Sequence, residues 1–283
     1  MRRKLQVPSG GTAIKRDSLS DVGALLPVLE SLGASLDGGF RTPVTMGIPS
    51  RDILIRVVEM PEMDMEDARE ALRWDFEKFF PYAYSDAAVD LALVENPAVV
   101  EAGKMSVLVA ASRLRTVESL MRIASSVGMN LEAIKPLNVA MFRAGLGPVS
   151  AYAGGYLAVF AERDVTQIVL GYKDNGVLYR TSLIDIPSRE VAGLESDRDY
   201  SALVREIANT LTFVRNQYRD LSLDLIMLGG GYGRDAGFQA ELEEATGIKS
   251  LMINVWDTWG ISEPDDGNSG WEAAIGLAVR DLL

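Results

Sequence analysis

Three consecutive glycines, Gly229–Gly231, follow the apolar run Leu223–Leu228 and precede a segment with helical periodicity. Glycines at a strand-to-helix turn let a ligand approach the backbone closely, and the N-terminal end of a helix favours phosphate or another anion. A tight turn that binds nothing has the same pattern. From the spacing alone, an anion site and a purely structural turn both remain open.

The same glycines admit a second interpretation, because Gly231–Ala236 matches the G-x-G-x-x-A pattern of dinucleotide-binding folds. That pattern normally opens a long series of strand–helix–strand units, whereas little more than one strand and one helix is predicted after it. A nicotinamide or flavin site is therefore disfavoured. The chain also contains no G-x-x-x-x-G-K-S/T phosphate loop.

The composition removes several kinds of chemistry. The 283 residues include no cysteine and no histidine, which excludes disulfides, thiol catalysis, Ser-His-Asp hydrolysis and histidine-ligated zinc. We find no other catalytic constellation and no metal-ligand cluster. The net charge of −12 argues against nucleic-acid binding, because phosphate neutralisation needs clustered Lys and Arg.

The sequence contains no recognisable targeting or membrane segment. Met1–Lys4 is basic, but Leu5–Gly11 follows where a signal peptide would have an apolar region. No stretch approaches the roughly 20 apolar residues of a membrane helix. We therefore expect a cytoplasmic protein that reaches a membrane only through partners.

Hydrophobic periodicity predicts an α/β protein in which strands come in runs and are followed by helices. The predicted helices are 17–32, 64–80, 116–127, 138–144, 198–219, 235–246 and 271–283, and the predicted strands are 44–48, 53–60, 89–94, 105–111, 131–134, 156–161, 166–171, 176–183, 223–228 and 251–255. The segment Gly145–Gly155 is rich in Gly, Pro, Ser and Ala, so we predict a domain boundary there.

Four stretches of the chain, in their order and spacing, resemble the PilM family of type IV pilus assembly proteins. They are Met46–Ser50 with the strand that ends at Pro61, Asp67–Pro81 with Val89–Leu91, the helical segment Glu206–Gln217, and Leu225–Gly231 with Ala274–Arg280. They resemble, respectively, the family's Ile-Pro-Ser strand and its successor, its helix ending in an apolar residue and proline, the helix before the glycine turn, and that turn with the closing helix.

The resemblance implies an actin-like, ribonuclease H-like fold of two lobes, 1–150 and 151–283, with a nucleotide cleft between them. It also implies a small α/β subdomain inserted in the first lobe at about 50–115. Members of the family lie under the inner membrane. They bind the cytoplasmic tail of a PilN-type membrane protein in a groove between the inserted subdomain and the rest of the first lobe.

Two phosphate-binding elements of the family are not matched. The family's opening Asp-x-Gly-Ser loop has no counterpart, since the chain begins after it, near Leu5–Pro8. Val159–Glu162 stands where the family has Asp-Ile-Gly-Ala, and Glu162 would repel a phosphate. We therefore predict a residual, degenerate nucleotide site at Gly229, Gly230 and Gly231, no required cofactor and no enzymatic activity, with ATP binding left open.

The predicted partner-binding residues are Arg56, Phe80, Pro81 and Tyr82. Aromatic residues and arginine dominate the binding energy of many interfaces. Phe80, Pro81 and Tyr82 lie at the C-terminal end of the predicted helix 64–80, where they are expected to form a groove wall. Arg56 lies in the strand that precedes this helix.

The predicted function is a non-catalytic cytoplasmic scaffold of a type IV pilus inner-membrane assembly platform. Its expected partners are the tail of a PilN-like protein and other pilus or secretion platform proteins. Two alternatives remain open. One is the cytoplasmic actin-like domain of a GspL-like type II secretion protein, and the other is an ATP-binding phosphotransferase of the actin or sugar-kinase class.

Overall fold

The computed structural model describes residues 7, 11–98, 101–147, 152, 154–187, 198–263 and 270–279. The chain divides into two compact units. The first comprises Met1–Leu93, Gly103–Ala140 and Leu277–Leu283, and the second comprises Val94–Ala102 and Met141–Gly276. Within the described residues, no helix is both long and apolar enough to cross a membrane. The predicted lobe boundaries and the extent of the inserted subdomain stay predictions.

The first unit is built around two sheets. Its elements are β1 (Ile14–Lys15), β2 (Ser18–Leu19), α1 (Leu26–Ala34), β3 (Val44–Ile48), β4 (Ile53–Pro61), α2 (Met65–Phe79), β5 (Ala87–Leu93), β6 (Lys104–Arg113), α3 (Leu114–Ser126) and β7 (Leu131–Pro136), and α4 (Leu137–Ala144) follows. An antiparallel sheet has the order β4-β6-β5, and β3 pairs in parallel with β7. A short hairpin joins β1 to β2.

The helix α2 forms where its sequence predicts it. The Asp64 carboxylate accepts hydrogen bonds from the N–H groups of Glu66 and Asp67 and so caps the first turn. One face of α2, which carries Leu72 and Phe76, packs on β4 and β6. The helix ends at Phe79, shortly before Pro81, because a proline ring disfavours helical conformation in the residue before it.

The second unit contains one mixed sheet of five strands in the order β10-β9-β8-β11-β12. Its elements are β8 (Gly155–Ala161), β9 (Thr166–Tyr172), β10 (Asn175–Ser182), α5 (Ser201–Gln217), β11 (Leu223–Gly229), α6 (Ala236–Thr246), β12 (Lys249–Met252), α7 (Val255–Thr258) and α8 (Glu272–Ala278). The strands β8, β9 and β10 are antiparallel, whereas β11 runs parallel to β8 and β12. Every residue of β8 is buried, as expected for a central strand.

Two predicted elements are wrong in part. The helix predicted from Asp17 begins only at Leu26, because Leu19 donates its backbone N–H to the Asp52 carboxylate and belongs to β2. The strand predicted for 251–255 is shifted to β12, since Asn254 caps the short helix α7. Of the predicted closing helix, residues 280–283 lie outside the described residues.

Candidate functional site

The glycine turn follows directly from the end of β11. Gly230 has φ +78°, a conformation that favours glycine. The N–H of Tyr232 donates to the carbonyl of Ala161 over 3.0 Å, which ties the turn to the end of β8. The helix α6 is capped by Asp235, whose carboxylate accepts from the N–H groups of Gly237 and Phe238. The first donors of that helix are therefore already satisfied.

Two glutamates bind the backbone donors of the turn. The N–H of Gly230 donates to Oε1 of Glu272 at 3.0 Å, and the N–H of Gly231 donates to Oε1 of Glu162 at 3.1 Å. Glu162 lies directly after β8, and Glu272 opens α8. Backbone N–H groups at a turn that opens a helix can bind a phosphate, and here both donate to carboxylates of the same chain.

Glu272 is buried and Glu162 is partly buried. Burial raises the pKa of Glu162, and the neighbouring carboxylates of Glu272 and Asp164 raise it further, while the hydrogen bond from Gly231 lowers it. Glu272 is only 4% exposed, and its Oε2 has no hydrogen-bond partner among the described residues. The turn is therefore already occupied by acidic groups, which oppose the binding of a further anion.

The space over Gly230 is filled as well. A Cβ atom at this position would lie 2.6 Å from the carbonyl oxygen of Ala161 and 2.9 Å from its nitrogen. A backbone contact of that kind cannot be relieved by moving a flexible side chain. Among the described residues, no group of three or more His, Cys, Asp or Glu side chains could hold a metal ion.

The predicted partner-binding residues all lie in the first unit, but in different environments. Phe80 is 2% exposed and stacks on Phe76 with 4.5 Å between ring centroids. Its burial favours a structural role, and its assignment to a groove stays a prediction. Pro81 and Arg56 are exposed, and Arg56 lies on β4 opposite Val109 of β6.

Tyr82 contacts Arg113, which lines a nearby cavity. Its hydroxyl donates to the carbonyl of Ala111, and the guanidinium of Arg113 lies 5.0 Å from the centre of its ring. Arg113 also lines a cavity of about 350 Å³ beside the start of α3. The remaining lining residues are Asp86, Leu114, Arg115 and Glu118. The cavity therefore presents two cations, two carboxylates and one apolar side chain.

Sequence reasoning found the glycine turn but not Glu272 or Arg113. Glu272 is 42 residues from its partner Gly230, and no local pattern links the two. Arg113 ends β6 without any motif around it. The sequence predicts that Glu162 repels a phosphate, and the structure adds that its carboxylate accepts a hydrogen bond from the turn itself.

The first prediction concerns the packing of the turn. Gly230→Ala combines the cost of positive φ, about 1–2 kcal/mol, with a backbone clash, so we expect a loss of about 2–5 kcal/mol in the free energy of unfolding. Gly247→Ala is the matched control, because Gly247 has φ +66° with no atom within 4 Å of the added Cβ. It should cost only about 1–2 kcal/mol. Equal losses in urea titrations followed by circular dichroism would contradict the described packing.

The second prediction concerns pH. Because the pKa of Glu162 is raised, the folded state holds a proton that the unfolded state has released at pH values between the ordinary pKa of a glutamate and this raised pKa. The stability of the wild type relative to Glu162→Gln should therefore be highest at low pH and fall as the pH rises through the raised pKa. Gln can still accept the hydrogen bond from Gly231.

Glu243→Gln is the control of opposite sign for this experiment. Hydrogen bonds from Ser250 lower the pKa of Glu243, so the stability that its carboxylate adds is present at high pH and lost as the pH falls through the lowered pKa. Urea unfolding of the three proteins between about pH 2 and 8 measures both trends, because the trend of Glu243 lies below the ordinary pKa of a glutamate. A difference between wild type and Glu162→Gln that does not change with pH would show that Glu162 titrates normally.

No model of a protein family matches the chain, and no curated protein matches it significantly. Among solved structures, it is similar to one described as the PilM-PilN type IV pilus biogenesis complex. The TM-score is 0.72 at 18% identity, and the alignment covers 98% of this chain and 90% of that chain. The MreB5 protein of Spiroplasma citri bound to ADP aligns with a TM-score of 0.50 at 10% identity, over 95% of this chain and 78% of that one.

The cytoplasmic domain of EpsL, an inner-membrane component of the type II secretion system of Vibrio cholerae, aligns with a TM-score of 0.47 at 11% identity. That alignment covers 93% of this chain and 81% of that domain. Identities this low show the fold alone. The prediction of the fold is confirmed: the chain has an α/β, actin-like fold, similar to that of the PilM–PilN structure.

Proposed function

We propose that the chain is a non-catalytic scaffold of a type IV pilus inner-membrane assembly platform, and that it binds the cytoplasmic tail of a PilN-like membrane protein. The observation that carries the non-catalytic part is the pair of hydrogen bonds from Gly230 and Gly231 to Glu272 and Glu162. The identity of the partner rests on the likeness of nearly the whole chain to the PilM–PilN structure.

The argument against catalysis is electrostatic. Phosphoryl transfer depends on donors and cations that stabilise the negative charge of the transferring group. In this turn, two backbone donors already bind carboxylates, and the carboxylates have the same sign of charge as the phosphate they would meet. A nucleotide would have to displace both side chains, one of them almost fully buried, before it could contact the turn.

The cavity beside α3 supports the proposed binding of a tail. Arg113 and Arg115 offer cations, Asp86 and Glu118 offer carboxylates, and Leu114 is 37% exposed. A short segment that carries charged and apolar side chains can satisfy all of these groups at once. Because the partner is a membrane protein, the proposal places this chain at the cytoplasmic face of the inner membrane through that contact.

The third prediction tests the absence of catalysis. With ATP and magnesium, the purified chain should release no phosphate above background, whereas an ordinary enzyme turns over at about 1 per second or faster. Glu162→Ala, measured in parallel, should also remain inactive, because Glu272 still occupies Gly230. A rate in the ordinary range for the wild type, absent from Gly230→Ala after correction for the folded fraction, would make the chain an ATPase.

The fourth prediction tests the partner site. The probes are synthetic peptides that span the cytoplasmic tails of membrane proteins encoded beside this chain. We expect wild type to bind one of them, and Arg113→Ala to weaken binding by about 1–3 kcal/mol, or roughly 5- to 150-fold in Kd. Arg56→Ala tests the residue predicted from the sequence.

Arg205→Ala is the control for this titration, since Arg205 is an exposed arginine of α5 in the second unit. Circular dichroism checks that each variant folds. Binding that is unchanged in Arg113→Ala removes the cavity from the site. If none of the peptides binds wild type, the proposed partner is wrong.

A further inference from the structure

The side chain of Trp74 is 82% exposed, which is unusual for the largest apolar residue. It lies on α2, whose buried residues are Ala68, Leu72 and Phe76. Trp74 therefore belongs to the outward side of the helix and adds nothing to the core that α2 forms with the sheet. An exposed indole of this kind is a common anchor at protein interfaces.

Carboxylates flank this tryptophan along the helix. Glu70 precedes it by four residues and Glu77 follows it by three, and positions at these spacings are neighbours on a helix surface. Both glutamates are exposed. We name these three residues, Glu70, Trp74 and Glu77, the Trp74 face.

Among the cations of α2, only Arg73 pairs with one of these two carboxylates, Glu70, at 3.6 Å. Arg69 pairs with Asp90 at 3.8 Å, and Lys78 pairs with Asp75 at 2.7 Å. No ion pair within the described part of the chain involves Glu77, although it lies near the C-terminal end of the helix, where the dipole disfavours an acid. Neither an ion pair of this kind nor the helix dipole therefore accounts for an acid at position 77.

We propose that the Trp74 face is a docking surface for a Lys/Arg-containing segment of a partner protein. A cation of that segment lies over the indole ring, and its neighbours pair with Glu70 and Glu77. Tryptophan is the aromatic side chain with the strongest attraction for a cation, and the two carboxylates supply complementary charge. The pair between Arg73 and Glu70 is exposed, so it opposes an exchange of partners only weakly.

The charge of the chain narrows the choice of occupant. A nucleic acid or an anionic membrane would bring phosphates to an acidic surface on a chain with a net charge of −12. A second copy of this chain would bring the same negative charge. The Trp74 face also shares no residue with the cavity at Arg113, so this proposal is independent of the proposed function.

The test is a titration with a 12-residue peptide of alternating Arg and Ser at low salt, followed by tryptophan fluorescence and calorimetry. An otherwise identical peptide of Glu and Ser is the control ligand. We expect the Arg peptide to bind wild type and the Glu peptide not to bind. Trp74→Ala should raise the Kd for the Arg peptide by about tenfold, while Phe213→Ala, which removes another exposed aromatic side chain, should not change it.

A charge-matched pair of variants separates this surface from general attraction to an acidic protein. Glu70→Gln with Glu77→Gln removes the same charge as Asp220→Asn with Glu244→Gln, two exposed carboxylates of the second unit. Only the first pair should weaken binding beyond the common effect of net charge. Equal Kd values for the two pairs, or for Trp74→Ala and Phe213→Ala, overturn the proposal.

Sedimentation velocity without peptide tests whether a second copy of the chain occupies the Trp74 face. Wild type and Trp74→Ala should both sediment as the same species. A dimer of wild type that Trp74→Ala abolishes would identify a second copy as the occupant and would overturn the proposal of a basic partner segment. Because Trp74 is exposed, we expect Trp74→Ala to unfold at the same temperature as wild type, which calorimetric scans check.

Discussion

The second unit depends on the two hydrogen bonds that its glycine turn makes with internal carboxylates. Through Glu162, the turn after β11 is joined to the end of β8, and through Glu272 it is joined to the start of α8. Segments that are far apart in sequence thus meet at two neighbouring N–H groups. Buried backbone donors must be paired, and in a nucleotide-binding protein a phosphate can fill this role. Here the chain pairs them itself.

Holding the carboxylates of Glu162 and Glu272 at one turn has an electrostatic cost. Two carboxylates held close together in a dry environment repel each other, and burial disfavours their charged forms. Burial and the neighbouring carboxylate of Glu272 raise the pKa of Glu162, and the hydrogen bond from Gly231 opposes that rise. Glu162 and Glu272 thus stabilise the turn through hydrogen bonds and also disfavour the binding of a nucleotide there.

The sequence predicts those parts of the molecule that local chemistry determines. Leu72 and Phe76 repeat at helical spacing before Pro81, so α2 is found almost to the residue. Apolar spacing misplaces the start of α1, because the hydrogen bonds from Ser18 and Leu19 to Asp52 join residues more than thirty positions apart. The same limit applies to the site. Glycines at a turn are visible in one sequence, whereas the partnership of Gly230 with Glu272 exists only after folding.

Carboxylates of the chain itself at the turn change how the stability of the fold can depend on a ligand. A protein that binds a nucleotide gains stability with the nucleotide's concentration, because binding shifts the equilibrium toward the folded state. In the proposed scaffold, a turn whose donors are filled by Glu162 and Glu272 would have no such dependence on a ligand. Its geometry would then be the same whether nucleotide is abundant or scarce. That independence suits a scaffold, since its binding surfaces then do not depend on the concentration of nucleotide. It would not suit a nucleotide-driven switch, which needs two states of different ligand affinity.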